Sequence, residues 1–212
     1  MTAIAPSNLV SRRGPQAGRL DEPLKAKTSR RNGQATRQRI LEAAFVEFAA
    51  AGLAGARVDR IAAAAECNKS LIFVYFESKA ALFEAVVGKE LERIDTEVGL
   101  STEDAVEFAA RLFDFAMAHP KSMRLLSWYG LETEAHSRPE RPISASSYRL
   151  DLRPADHLSD SLPPDFLPTA VIALSTAWSQ GNLIGHVLAS RQMCETGALR
   201  HAVLDGVKRL TE

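Results

Sequence analysis

The possible folds of this chain are narrowed most by residues 58–76, where two short helical patterns are separated by only three residues. The first pattern places small and branched apolar side chains on one face: Val58, Ile61, Ala62 and Ala65. Residues 66–68 then form a turn, and Asn68 is placed to cap a helix over 69–76, within the stretch NKSLIFVYF. Two short helices joined by a three-residue turn are a helix-turn-helix.

Helical spacing continues on both sides of this motif. A first helix is predicted from Thr36, a suitable N-cap, to Gly52, which ends it with Leu53 packing back. A fourth helix is predicted from near Ser78 toward Glu97. Further helices are predicted over 102–118, 120–135, 165–190 and 196–210, and a proline-rich loop over 136–164. Because no strand or internal repeat is evident, the chain is predicted to be all-α.

The apolar residues of the first three helices can close one small core. They are Phe45, Phe48, Ile61, Ala65, Cys67, Ile72 and Phe76. Such a core would hold the third helix with its N-terminal end exposed, which suits the major groove of B-DNA, about 12 Å wide. Periodicity alone equally allows an ordinary three-helix corner inside an all-α domain.

Charge is distributed unevenly although the formal net charge is zero. Residues 1–35 carry seven Lys or Arg against two acidic residues, and mix Pro and Gly without an apolar period. This composition predicts a disordered basic tail, which suits a polyanionic partner. A solvated tail without function is the alternative.

Several classes of protein are disfavoured. Arg12 and Arg13 follow the weakly apolar start, so no signal peptide is predicted, and residues 166–190 are too polar for a membrane span. Cys67 and Cys194 are far apart and favour a reduced, cytoplasmic protein. The five histidines have no metal-ligand spacing, and no phosphate loop or nucleophile motif occurs. No metal, cofactor or enzymatic activity is predicted, with an unrecognised helical enzyme as the alternative.

Four motifs follow one another between residues 36 and 87: TRQRIL, FAAAGL, VDRIAAAA and NKSLIFVYFESKAALF. In order and spacing they resemble the DNA-binding domain of the TetR family of tetracycline-repressor-like regulators. The residues after 98 resemble that family only in being helical, of suitable length, and ending in two helices. The resemblance implies a helix-turn-helix DNA-binding domain at 36–80, joined by a long helix to an effector-binding and dimerisation domain at 81–212.

The resemblance also implies roles at the DNA. Asn68 would cap the recognition helix, and Phe73 and Tyr75 would lie against the DNA backbone. Residues toward base edges would be Lys69, Ser70, Leu71 and Val74. Phosphates would be met at the starts of three helices, by Thr36, Arg57 and Lys79.

Two positions of the recognition helix depart from the family pattern. Leu71 stands where threonine is common, and Phe73 where tyrosine is common. Lys69 is then the one strong candidate for a guanine contact, so direct base readout is predicted to be thin. We therefore expect Arg30 and Arg31 of the tail to reach the DNA backbone or the minor groove.

The 165–190 helix is apolar nearly all round and must be covered on two sides. Gly181 and Gly185, four residues apart, would let a partner helix come close. A homodimer is therefore predicted through the helices 165–190 and 196–210, and the resemblance implies the same four-helix bundle. The alternative is a central helix in a monomeric bundle.

The resemblance implies a cavity for a small-molecule effector. Candidate lining residues are Phe113, Met117, Trp128, Tyr129, Trp178 and His186. The alternative is that they are ordinary core residues. The predicted function is a sequence-specific regulator, a repressor released from a palindromic operator by its effector. An effector-independent or architectural DNA-binding protein of the same fold is the alternative function.

Overall fold

The computed structural model describes residues 22–99, 104–135, 152, 163, 165–179 and 196–211. The described residues form eight α-helices: α1 (Glu22–Gly55), α2 (Val58–Ala64), α3 (Lys69–Phe76), α4 (Lys79–Val98), α5 (Ala105–Ala118), α6 (Pro120–Ala135), α7 (Phe166–Thr176) and α8 (Thr196–Thr211). No strand occurs in this part of the chain, and the predicted all-α class is confirmed.

The cap of α3 is the predicted Asn68, and α4 begins close to its predicted start, with Ser78 as its cap. Asn68 has extended backbone angles, and its side chain accepts a hydrogen bond of 2.9 Å from the backbone N–H of Ser70. Ser78 likewise accepts from the backbone N–H of Ala81 at 3.0 Å. Each cap satisfies a backbone donor that the first turn of a helix leaves without a partner.

The start of α1 differs from the prediction. Residues 22–35, expected to belong to a disordered tail, are helical, while residues 1–21 lie outside the described residues. Thr36 lies inside the helix, where its hydroxyl donates to the carbonyl of Asn32 at 2.9 Å instead of capping. The Arg37 guanidinium lies over the Phe76 ring, 4.9 Å from its centroid, so α1 contacts α3 near this point.

Gly52 interrupts α1 as predicted. Its φ of 66° and ψ of −175° are non-helical, and one further turn continues to Gly55. Only glycine adopts this backbone region without strain. Leu53 then packs back on the core, also as predicted.

One apolar cluster joins α1 to α4. It contains all seven residues of the predicted small core, with Phe45 and Cys67 partly buried at its edge. Phe48 is fully buried and meets Phe83 of α4 edge-to-face, with ring centroids 5.0 Å apart. This packing holds α2 and α3 against the N-terminal part of α4.

Helix α4 connects this cluster to the rest of the chain. Its 20 residues span about 30 Å at about 1.5 Å per residue. Leu82 and Phe83 lie in the first cluster, whereas Ile94 and Val98 lie in a second one. One continuous helix therefore contributes to both clusters.

The C-terminal helices close cores between segments that are distant in sequence. Phe108 of α5, Val171 of α7 and Val207 of α8 belong to the second cluster. Outside these cores, the Arg200 guanidinium donates two hydrogen bonds to the Asp114 carboxylate, at 2.8 and 2.9 Å. This bidentate pair links α8 to α5.

Helix α7 is shorter than the predicted 165–190 helix. It ends at Thr176, whose hydroxyl donates to the carbonyl of Ile172, and residues 177–179 form a turn. Such a bond only slightly destabilises a helix, and the same bond at Thr36 does not end α1. Residues 180–195 lie outside the described residues, and with them Gly181, Gly185 and His186.

Candidate nucleic-acid interface

Helix α3 has one buried and one exposed face. Ile72 is fully buried and Phe76 nearly so, within the first apolar cluster. Lys69, Ser70, Phe73 and Val74 are exposed. The core therefore holds the helix rigidly while its other side chains face solvent.

The exposed face of α3 carries large apolar side chains. Val74 is 75% exposed and Phe73 is 39% exposed. Leu71 and Tyr75 are half-buried, and a Cβ on Gly33 of α1 would lie 3.3 Å from the Tyr75 hydroxyl. Exposed apolar side chains on a rigid surface commonly mark a contact site.

Two strained residues bound α3. Glu66 in the preceding turn has a φ of 50°, and Glu77 directly after the helix has a φ of 61°. Neither is glycine, so each conformation costs about 1–3 kcal/mol and persists only because the surrounding packing requires it. The direction of α3 is therefore set closely at both ends.

Lys69, the predicted guanine contact, is paired with an acidic side chain that sequence reasoning missed. Its ammonium lies 2.8 Å from a carboxylate oxygen of Asp59, in the first turn of α2. Both side chains are largely exposed, so the pair contributes little to stability. A carboxylate at this position opposes indiscriminate phosphate binding, because it offsets the charge of the lysine.

The predicted phosphate contacts have different surroundings. Thr36 does not stand at a helix N-terminus, which was the premise of its role. Arg57 precedes α2, and its backbone N–H donates to the Glu47 carboxylate at 2.9 Å. Glu47 thus occupies the N-terminus of α2 in this state, and only the tertiary fold reveals it.

The half-buried Lys79 side chain reaches the end of α1. Its ammonium donates to the carbonyl oxygens of Ala54 and Ala56, at 3.4 and 3.2 Å. In this position it stabilises backbone acceptors that the break at Gly52 leaves outside the regular helix. The α4 N-terminus beside it keeps the partial positive charge of a helix start.

The predicted effector residues that the structure describes do not lie together, and His186 is outside the described residues. Trp128 and Tyr129 pack on the first apolar cluster, next to α1 and α4. Phe113 and Trp178 lie in a third cluster with α8, and Met117 is 38% exposed. A separate cleft of about 280 Å³ beside α4 and α5 contains none of them; it is lined by Glu97, Arg111, Asp114, Phe115, Ala118 and His119.

No group of three or more His, Cys, Asp or Glu side chains in the described ranges could hold a metal ion. None of the described helices combines the length and hydropathy of a membrane span.

Family models match both halves of the chain. Residues 40–86 match the model of bacterial regulatory proteins of the tetR family. Residues 104–209 match the model of the tetracyclin repressor-like C-terminal domain. The first match covers the helix-turn-helix and the second covers α5 to α8.

Individual proteins agree with these models. The HTH-type transcriptional repressor SCO4008 of Streptomyces coelicolor is 31% identical over 188 residues, which are 86% of this chain and 98% of that protein. The crystal structure of SCO4942, a proposed transcriptional regulator of Streptomyces coelicolor, is 32% identical with a TM-score of 0.64, covering 82% of this chain and 96% of that chain. A TetR-like transcriptional regulator from Rhodococcus sp. RHA1 shares the fold, at 23% identity and a TM-score of 0.50 over 82% of this chain and 94% of that one. The chain therefore belongs to the tetR family of bacterial regulatory proteins.

Proposed function

We propose that this protein is a cytoplasmic, homodimeric transcriptional repressor that binds a palindromic operator and is released by a small-molecule effector. The observation that carries the proposal is the exposed face of α3. It presents Lys69, Ser70 and two apolar side chains on a helix that the core holds in one orientation. Such a face fits the major groove, where apolar side chains contact thymine methyl groups. Catalytic chemistry has no part in this function.

Effector release from a dimer is supported by the position of α4, and repression by the name of one relative. Two recognition helices must be spaced by about 34–36 Å to enter successive major grooves. Helix α4 links the helix-turn-helix to the C-terminal clusters, so a change there alters this spacing. An effector that favours a different spacing lowers the affinity for DNA by its differential affinity for the two states. SCO4008, similar along nearly its whole length, is named a transcriptional repressor.

The first test is binding of the purified protein to DNA upstream of its own gene and its neighbours, against random DNA, at two salt concentrations. We expect an affinity ratio of about 10³ or more, on a palindromic site. Equal affinity for both DNAs with a steep salt dependence would instead establish the architectural alternative.

A pair of valine variants tests the contact surface. Val74→Ser should lower affinity for the operator by about tenfold and leave affinity for random DNA unchanged, because the apolar contact with a base is lost. Val46 on α1 is 51% exposed, so Val46→Ser serves as the matched control. An equal effect of the two substitutions on operator affinity would contradict the placement of α3 in the groove.

A further inference from the structure

The corner between α1 and α2, residues 52–57, is held by a helix from the other half of the chain. The Trp128 ring of α6 lies so close to Gly52 that a Cβ there would stand 2.8 Å from Cε3 of the indole. The indole N–H is buried and has no acceptor among the described residues. The observed interaction of Trp128 with this corner is therefore the packing of its ring against Gly52.

Glu132, one helical turn after Trp128, contacts the same corner. Its carboxylate accepts a hydrogen bond of 3.1 Å from the backbone N–H of Ala54. The break at Gly52 disturbs the regular hydrogen bonding of α1, and a backbone donor at this point needs a partner. A side chain of α6 therefore completes the backbone of the DNA-binding domain.

Lys79 of α4 contacts the same corner. Its ammonium contacts the carbonyls of Ala54 and Ala56, so the corner lies between a carboxylate of α6 and a cation of α4. The corner leads directly into α2, which begins at Val58. Its position therefore sets where the helix-turn-helix stands relative to α6.

We propose that Trp128 and Glu132 are positioning residues for DNA binding: they fix the orientation of the DNA-binding domain on the C-terminal domain without touching DNA. This contact acts beside the covalent connection through α4. It rests on the proposed function, because orientation matters when two copies must bind one operator together. The contact keeps both recognition helices at the spacing that the operator requires.

Loss of positioning and local disruption of the DNA-binding domain change the affinities for a full operator and for one half-site in different ways. Binding one half-site needs an intact recognition helix, whereas binding both half-sites also needs the correct distance between them. The advantage of the full operator over one half-site is an effective concentration, which falls when the geometry is loosened. Loss of positioning should therefore reduce this ratio and leave half-site affinity unchanged.

The test uses a palindromic duplex that the wild-type protein selects from random DNA, and the same duplex with one half scrambled. Glu132→Ala and Trp128→Leu should each lower the full-to-half affinity ratio by about tenfold. Glu132→Gln keeps a side-chain oxygen as acceptor and should retain most of the ratio. Leu131, between them on α6, is 61% exposed, and Leu131→Ala should change nothing.

The outcomes separate this inference from the function on which it rests. A wild-type protein without preference for any palindrome removes the repressor proposal, and the positioning role falls with it. If the wild-type protein prefers a palindrome, equal losses of affinity for both duplexes in the variants would overturn the positioning role and indicate local disruption of the DNA-binding domain. Unchanged affinities in both variants would overturn it as well. Amide exchange at Ala54 should accelerate in Glu132→Ala while that of α3 does not, which supports positioning independently of DNA.

Discussion

The two halves of this molecule close their cores in different ways. The N-terminal cluster is built mainly from α1 to α4, which follow one another in the chain. The C-terminal clusters join α5 to α7 and α8, as in the packing of Phe108 with Val171 and Val207. Closing long loops costs more conformational entropy than closing short ones. The first core is therefore specified mainly by local pattern, although Leu125 of α6 completes it from a distant segment, and the second depends mainly on contacts between distant segments.

The largest expected effects come from removing one buried ring in each half. Phe48→Ala and Phe113→Ala should each lower the free energy of unfolding by about 3–5 kcal/mol, because both side chains are fully buried. Amide hydrogen exchange should then separate them. Phe48→Ala should deprotect α1 to α3 first, and Phe113→Ala should deprotect α5 and α8 while α3 stays protected. Identical exchange patterns in the two variants would show that both halves of the molecule unfold as one cooperative unit.

A smaller effect is expected from a contact that is local in sequence. Asn68→Ala removes the cap bond to the N–H of Ser70, two residues away, and should cost about 1 kcal/mol in unfolding free energy. Chemical denaturation gives this value, and Asn68→Asp, which keeps an acceptor, is the control. A loss in the aspartate variant as large as in the alanine variant would contradict the cap.

The Arg200–Asp114 pair, which joins distant segments, should contribute less to the free energy of unfolding than the Asn68 cap does. Arg200 and Asp114 are 86 residues apart, and their hydrogen bonds raise the pKa of Arg200. Both side chains are partly exposed, so Arg200→Lys should cost at most about 1 kcal/mol. Arg209 pairs with Asp205 within α8, and Arg209→Lys is the matched control with a smaller expected change. A larger loss of unfolding free energy in Arg209→Lys than in Arg200→Lys would contradict the larger contribution that we expect from the pair between helices.

The smallest expected effect is on the free energy of unfolding at low pH, through the carboxylate of Glu97 on α4. The hydrogen bond from Arg93 lowers the pKa of Glu97. A carboxylate whose pKa is lower in the folded state stabilises it above its ordinary pKa, and this contribution is lost as the pH falls through the lowered value. Unfolding free energies measured between about pH 5 and 3 should therefore decline slightly less in Glu97→Gln. Glu92→Gln, at an exposed position on the same helix, should decline as the wild type does.

Local pattern was sufficient for much of the N-terminal domain. The spacing of apolar residues predicts α2, α3 and the core that they share with α1, and Asn68 and Ser78 mark the starts of α3 and α4. These features depend on residues a few positions apart, where a helix brings side chains and backbone groups into contact. The same spacing predicts the bounds of α6 and the start of α8.

Other features depend on residues that only folding brings together. The start of α1 has no apolar period. The contact of Arg37 with Phe76 and the closeness of Gly33 to Tyr75, where an added Cβ would lie 3.3 Å from the hydroxyl, arise across helices. Trp128 was grouped with Phe113 as an aromatic residue, but the packing of α6 on α1 places it at Gly52 instead.

What the chain's spacing determines is thus the all-α class, the helix-turn-helix and its caps, because each follows from neighbours along one or two helices. What the tertiary structure decides is the direction of individual side chains: Lys69 toward Asp59, Lys79 toward Ala56, and Glu132 toward Ala54. Those directions result from competition among partners that are distant in sequence. No periodicity within a single helix encodes that competition.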